Sequence, residues 1–160
     1  MGEPIMTASF DCNSTVADAL PHIRAIATIM SGSRERADIL IEHALSRFAA
    51  PSRERFGSYG LLSELIDLAR VDEANRRETV NKNEEPCMSL LHSLPFSDRL
   101  AFVLVEIVGF SPVAASHLCR KMAHEVQRSA SDAAYFLSRH HDDHGRRVAN
   151  SKTPEYEFRS

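Results

Sequence analysis

Tryptophan is missing from this 160-residue chain, and glycine occurs only 6 times and proline 7. A strand-rich sandwich or barrel needs frequent turn residues and aromatic strand faces, so these shortages argue for helices joined by short turns. Cysteine is scarce too. Cys12, Cys87 and Cys119 are an odd number at wide spacing, which excludes a disulfide framework and a zinc pattern and fits free thiols in a reducing cytoplasm. No apolar run approaches the roughly 20 residues of a membrane helix, and the N-terminus lacks the basic-then-apolar pattern of a signal peptide. The expectation is a soluble, cytoplasmic protein without a membrane partner. Positive charge is also in short supply: the formal net charge is -3. Holding nucleic acid requires neutralising phosphates, so any DNA contact must come from a local patch. No glycine-rich phosphate loop and no nucleophile–base pair at an informative spacing is present, so no enzyme and no cofactor is expected. His140, His141, Asp142, Asp143 and His144 are metal-binding residue types, but in a polar, aperiodic tail they read as incidental polarity, and no metal is expected.

What the chain does have is helical periodicity, with 43% hydrophobic residues to fill a core. Thr15 is an N-cap, and Val16, Ala19, Leu20, Ile23, Ile26, Ala27 and Met30 follow at helical spacing, with Pro21 leaving the start of that helix open. Ser31-Gly32-Ser33 breaks the chain and caps a second helix over 34–49, whose apolar face is Ala37, Leu40, Ile41, Ala44, Leu45 and Phe48. PSRERFGSYG reads as a loop. A third helix runs from Tyr59 to Arg77, with Leu61, Leu62, Leu65, Ile66, Leu68 and Ala69 on one face and a charged end. These elements form a first bundle over 15–77, behind a loose arm at 1–14. Residues 78–87 are a polar linker. The second bundle, 88–138, holds a segment from Met88 to Leu94 and a helix from Ser97 to Val108. A turn at Gly109-Phe110-Ser111 follows. Ser111 then caps a short helix that has Pro112 at its first position and ends at Cys119. A longer helix runs from Ala123 to Ser138, and 139–160 is a frayed tail. Cys119 lies on the apolar face of the short helix, where a structural thiol fits best. The fold class is all-α: two small helical bundles joined by a polar linker, the second containing a helix-turn-helix in GFSPVAASHLCRKMAHEVQRSASDAA.

Two stretches carry a family resemblance. LHSLPFSDRLAFVLVEIVGFS, with Leu91, Leu94, Pro95, Arg99, Glu106, Gly109 and Ser111 in register, resembles domain four of bacterial RNA polymerase sigma factors of the extracytoplasmic-function type. The spacing from Gly109 to Val126 fits the same pattern. RERADILIEHALSRF, through Arg36, Ala37, Asp38, Leu40 and Leu45, resembles the acidic segment of sigma domain two. LLSELIDLARVDEANRR, through Leu62, Asp72, Arg76 and Arg77, resembles its promoter-melting helix. The resemblance covers residues 16–138, both halves in the family's order.

The resemblance implies a clamp contact to core RNA polymerase through Arg36, Asp38 and Glu42. It also implies promoter DNA contacts through Arg76, Arg77, His117, Arg120, Lys121, His124, Gln127 and Arg128. The plainer reading of Asp38 and Glu42 is a solvated helix face, and of Arg76 and Arg77 favourable charge at a helix C-terminus. The departures from the family pattern point elsewhere. Ile39 replaces the central aspartate of the acidic segment, and His43 stands where an acid is usual. Leu61 and Leu68 stand where the melting helix has Trp and Asn. Ala114 replaces an acid in the first reading helix, and His124-Glu125 replaces the Gly-Thr that opens the second. Gln127, Ser129, Asp132 and Ala134 fill its basic positions, and Arg128 is kept one place out of register. Glu125 and Asp132 repel phosphate, and fewer cationic contacts mean less counterion release.

Two function readings follow. The first is a sigma factor that binds polymerase and promoter DNA. The second is a sigma mimic that binds an anti-sigma factor, like the sigma-like module of general-stress regulators. A mimic needs the apolar surfaces an anti-sigma helix covers rather than a phosphate grip. A structural adaptor outside transcription would leave the two-part register as coincidence.

Overall fold

Thr15 opens the first helix, α1 (Val16–Ser31), by accepting the backbone N–H of Asp18 on its side chain. Pro21 lies inside α1 without moving its start. Its missing N–H deprives only the carbonyl of Ala17, and both residues are exposed, so water can serve there. Gly32 ends α1 in the left-handed region (φ 84°), where its N–H donates to the Thr28 carbonyl. Ser33 then caps α2 (Arg34–Phe48) by accepting from the Arg36 N–H. The third helix, α3 (Gly57–Asn75), buries Leu61, Leu62, Leu65, Ile66 and Ala69. Its ends fall about one half-turn before the expected ones, within the usual fraying of helix boundaries. The helices α1, α2 and α3 pack mutually.

This computed structural model describes residues 15–49, 57–76 and 86–150, without the side chains of Pro86 and 141–150. The arm at 1–14, most of the loop before Gly57, Arg77, the linker up to residue 85 and residues 151–160 lie outside the described residues.

The second half begins with α4 (Pro86–His92) and α5 (Phe96–Phe102). The sequence periodicity predicts a plain helix from Ser97 to Val108. Instead, α5 passes directly into a π turn over Val103–Ile107, where the Val108 N–H reaches back to the Val103 carbonyl at 2.9 Å. The extra residue in the turn rotates the register. Val103 and Leu104 stay buried, but Ile107, an apolar position in a regular helix, ends 51% exposed. Gly109 follows with φ 84°. A Cβ there would meet nothing within 4 Å, so the backbone angle and not space calls for glycine.

Ser111 caps α6 (Pro112–Cys119) through the Ala114 N–H. Arg120 turns the chain in the left-handed region (φ 54°) into α7 (Ala123–Asn150). The expectation of a frayed tail from residue 139 is corrected for its first part, because α7 continues to Asn150. Only Gly145 weakens that stretch, and no proline occurs before Pro154. Every regular element among the described residues is helical. Helices α5 and α6 pack along α7, and α4 and α5 touch α1. Buried apolar residues from both halves form one cluster, from Ala19 through Leu62 and Leu100 to Ala130. Among the described residues no helix is long and apolar enough to cross a membrane.

Candidate functional site

Along α3 and just past its end, Asp67, Arg70, Glu73 and Arg76 recur every third residue, so each neighbours the next in a stripe that winds round the helix. This alternating stripe meets the second half at two places. At the first, Asp67 Oδ1 accepts from Arg70 Nη1 at 3.2 Å and from Arg120 Nη2 at 2.9 Å. Arg70 Nη2 donates to the Leu118 carbonyl at 3.1 Å, in the last turn of α6. Burial, and then the neighbouring Arg120 guanidinium, lower the pKa of Arg70, while Asp67 opposes them. The guanidinium stays charged, as arginine does in proteins.

At the second place, Glu73 Oε1 pairs with Nη2 of the fully buried Arg99 at 3.0 Å, and Glu73 Oε2 lies 3.7 Å from Arg76 Nη1. Arg76 also donates to the Ser31 carbonyl and to His92 Nδ1, the latter at 3.2 Å. His92 Nε2 lies 3.0 Å from the Ile29 carbonyl, and Arg99 Nη2 lies 3.5 Å from that of Met30. Arginine can only donate and a carbonyl can only accept, so a neutral His92 ring protonated on Nε2 satisfies both neighbours. The last carbonyls of α1, the negative end of its dipole, thus receive donors from Arg76 just past α3, from α4 and from α5. The Phe96 ring joins the two places, with the guanidinium of Arg70 5.6 Å and that of Arg99 5.7 Å from its centroid. Nε of Arg76 and of Arg99 is buried without a hydrogen-bond partner, so the joint is crowded with donors.

The residues expected to bind polymerase and DNA divide sharply. Arg36 ties α2 to α3 through Asp72 Oδ1 at 3.0 Å. Asp38 pairs with Arg24 at 3.1 Å across an exposed α1–α2 surface, and Glu42 is exposed one turn further along α2. Between them Ile39 is 54% exposed. Arg76 and Arg120 are engaged in the stripe. Lys121 Nζ binds Asp98 Oδ1 at 3.1 Å and Ser129 Oγ at 2.9 Å. His117, His124, Gln127 and Arg128 are exposed, and Gln127 donates to Ser131 at 3.2 Å. Glu125 turns back on its own helix, where its Oε2 accepts the Met122 N–H at 2.9 Å and caps α7. Arg77 lies outside the described residues.

Sequence reasoning missed Asp67, Arg70, Glu73, His92 and Phe96 as a group, and took Arg99 only as a register mark. The three-residue alternation of acid and base along α3 was the available signal. Cys119 is buried, and burial pushes its thiol up to about 11 against the pull of Lys121 and Arg70. Among the described residues no group of acids, histidines and cysteines is placed to hold a metal ion.

Neither a comparison with protein-family models nor one with curated proteins gives a match. Solved structures do match in fold. The chain is similar to the sigma factor RpoE, in its co-crystal structure with the anti-sigma factor NepR from Bartonella quintana. There the TM-score is 0.61 and the identity 16%, over 78% of this chain and 92% of that one. It is also similar to the anti-anti-sigma factor PhyR, complexed with NepR from Bartonella quintana. That match has a TM-score of 0.57 and 19% identity, over 78% of this chain and 48% of that one. The chain therefore spans about half the length of the PhyR chain. Its fold is sigma-like.

Proposed function

We propose that this chain is a sigma-like decoy that binds an anti-sigma factor and so competes with a true sigma factor for it. One observation carries the reading: three of the cations that the resemblance assigns to promoter DNA are engaged within the chain. Arg76 reaches the end of α1, Arg120 pairs with Asp67, and Lys121 pairs with Asp98. What stays outside on the second half includes Val113, Met122 and Tyr135, each more than 60% exposed. Large apolar side chains of this kind suit an amphipathic helix from a partner. The sigma factor and the anti-anti-sigma factor to which the chain is similar were each solved in complex with an anti-sigma factor, which supports the same partner class. The reading assigns the chain no catalysis.

A second reading, a working sigma factor, is favoured by the exposed Asp38 and Glu42 on α2 and by the exposed Arg128, His117 and His124. Titration calorimetry of the purified chain against NepR, and separately against core RNA polymerase with a promoter duplex, decides between the two. The decoy reading expects a complex with NepR and none with polymerase. Polymerase binding with salt-sensitive DNA retention, and no complex with NepR, would overturn it.

A further inference from the structure

The α3 stripe does more than join two bundles. Its acids face arginines of the second half, while Arg70 faces the Leu118 carbonyl and the Phe96 ring there and Arg76 bridges the end of α1 and the His92 ring. Arg99 is wholly buried and holds Glu73 at 3.0 Å, while Arg120 holds Asp67 at 2.9 Å. A carboxylate is the nearest protein counterpart of a phosphate oxygen, and arginine recognises both with the same fork of donors. We infer that Asp67 and Glu73 form an autoinhibitory latch. They hold the two halves closed and occupy, as internal phosphate substitutes, the guanidiniums of Arg70, Arg76, Arg99 and Arg120. Opening the latch frees these cations for the backbone of a nucleic-acid duplex. The sigma-like reading supplies only the choice of duplex DNA as ligand; the closed state is observed in the ion pairs and in the apolar cluster that both halves share.

The geometry argues for a latch over a passive ion-pair network. Four arginines converge on two carboxylates, and two guanidinium Nε atoms remain buried without partners. Removing the acids leaves mutually repelling cations around Phe96, so the closed form is disfavoured as well as unbonded. Opening exposes Arg70, Arg76 and the wholly buried Arg99 to solvent and releases the already exposed Arg120 from Asp67, so that phosphate can neutralise them with release of counterions.

The test uses the full chain with Cys12 and Cys87 changed to Ser and spin labels at Ala25→Cys and Ser131→Cys, exposed sites in the two halves. Distances are measured by double electron–electron resonance for this background, for Asp67→Asn/Glu73→Gln, and for the control Glu64→Gln. Circular dichroism follows helicity, and fluorescence anisotropy follows binding of a random-sequence DNA duplex across a salt series. The latch predicts a short, narrow distance in the background and the control. The double variant gains a longer, broader component at unchanged helicity, together with at least about a tenfold gain in DNA affinity at low salt that fades as salt rises. A distance unchanged in the double variant overturns the inference, as does opening without any gain in DNA binding. If the double variant loses helicity, Arg120→Gln alone is measured, and absence of the longer component there overturns it equally. Because these readouts need no protein partner, failure of the latch and failure to bind NepR are separate results.

Discussion

Glu73 sits where one carboxylate answers two arginines, one of them with no access to water. Breaking a fully buried pair costs about 3–5 kcal/mol, because the remaining charge is left without compensation. Glu73 is itself 29% exposed, so water moderates the loss. Glu73→Ala should destabilise the chain by about 2–3 kcal/mol, read as a lowered urea midpoint. The two described cysteines should differ as sharply. Cys87 is exposed, whereas Cys119 is buried with its thiol pushed from an ordinary 9.0 to about 11. A thiol reagent at pH 8 should titrate Cys87 in the native chain and reach Cys119 only on unfolding. The sign of the linkage follows from the raised value. Stability contributed by the neutral Cys119 thiol is fully present below pH 9.0 and lost as pH rises towards about 11. Cys119→Ala should flatten that alkaline decline in thermal melts.

Caps, turns and register act at the scale of the element. Ser111 and Gly109 bracket Phe110 between the π turn and α6, one by a side-chain bond to the Ala114 N–H, the other by a positive φ. Ser111→Ala should cost about 1 kcal/mol through the lost cap. Gly109→Ala should cost about as much from backbone strain alone, since space for the methyl group is open. Denaturant titration of each variant checks both. Much of this was legible beforehand. Thr15, Ser33 and Ser111 announced helix starts because a short polar side chain at that place satisfies an orphan amide whatever the rest of the fold does. The π turn was not legible, because Val103, Leu104, Val105 and Ile107 are all apolar and fit an α register as well as a wider one. The continuation of α7 past Ser138 was missed for the opposite reason: a polar, aperiodic stretch can still be helical when it extends a helix already nucleated.

For the whole molecule, the decisive feature is that apolar residues of both halves join one buried cluster and charged residues join across it. Heat or urea should therefore unfold the chain in one transition, with coincident midpoints for probes in α2 and in α7. Two separate midpoints would mean that the halves fold as independent bundles. The chain's likeness to a sigma factor and to an anti-anti-sigma factor leaves the partner to be decided by what its surface offers, since one fold serves many functions. The sequence by itself determined the helical class, most helix starts, the apolar faces and the scarcity of cations on the first turns of α7. These depend on neighbours within a turn or two along the chain. Only the tertiary structure decided where the remaining cations go. Arg76, Arg120 and Lys121 look the same in sequence whether they reach for phosphate or for a partner within the chain, and it is tertiary packing that brings the end of α1 to Arg76, Asp67 of the first half to Arg120 and Asp98 of α5 to Lys121.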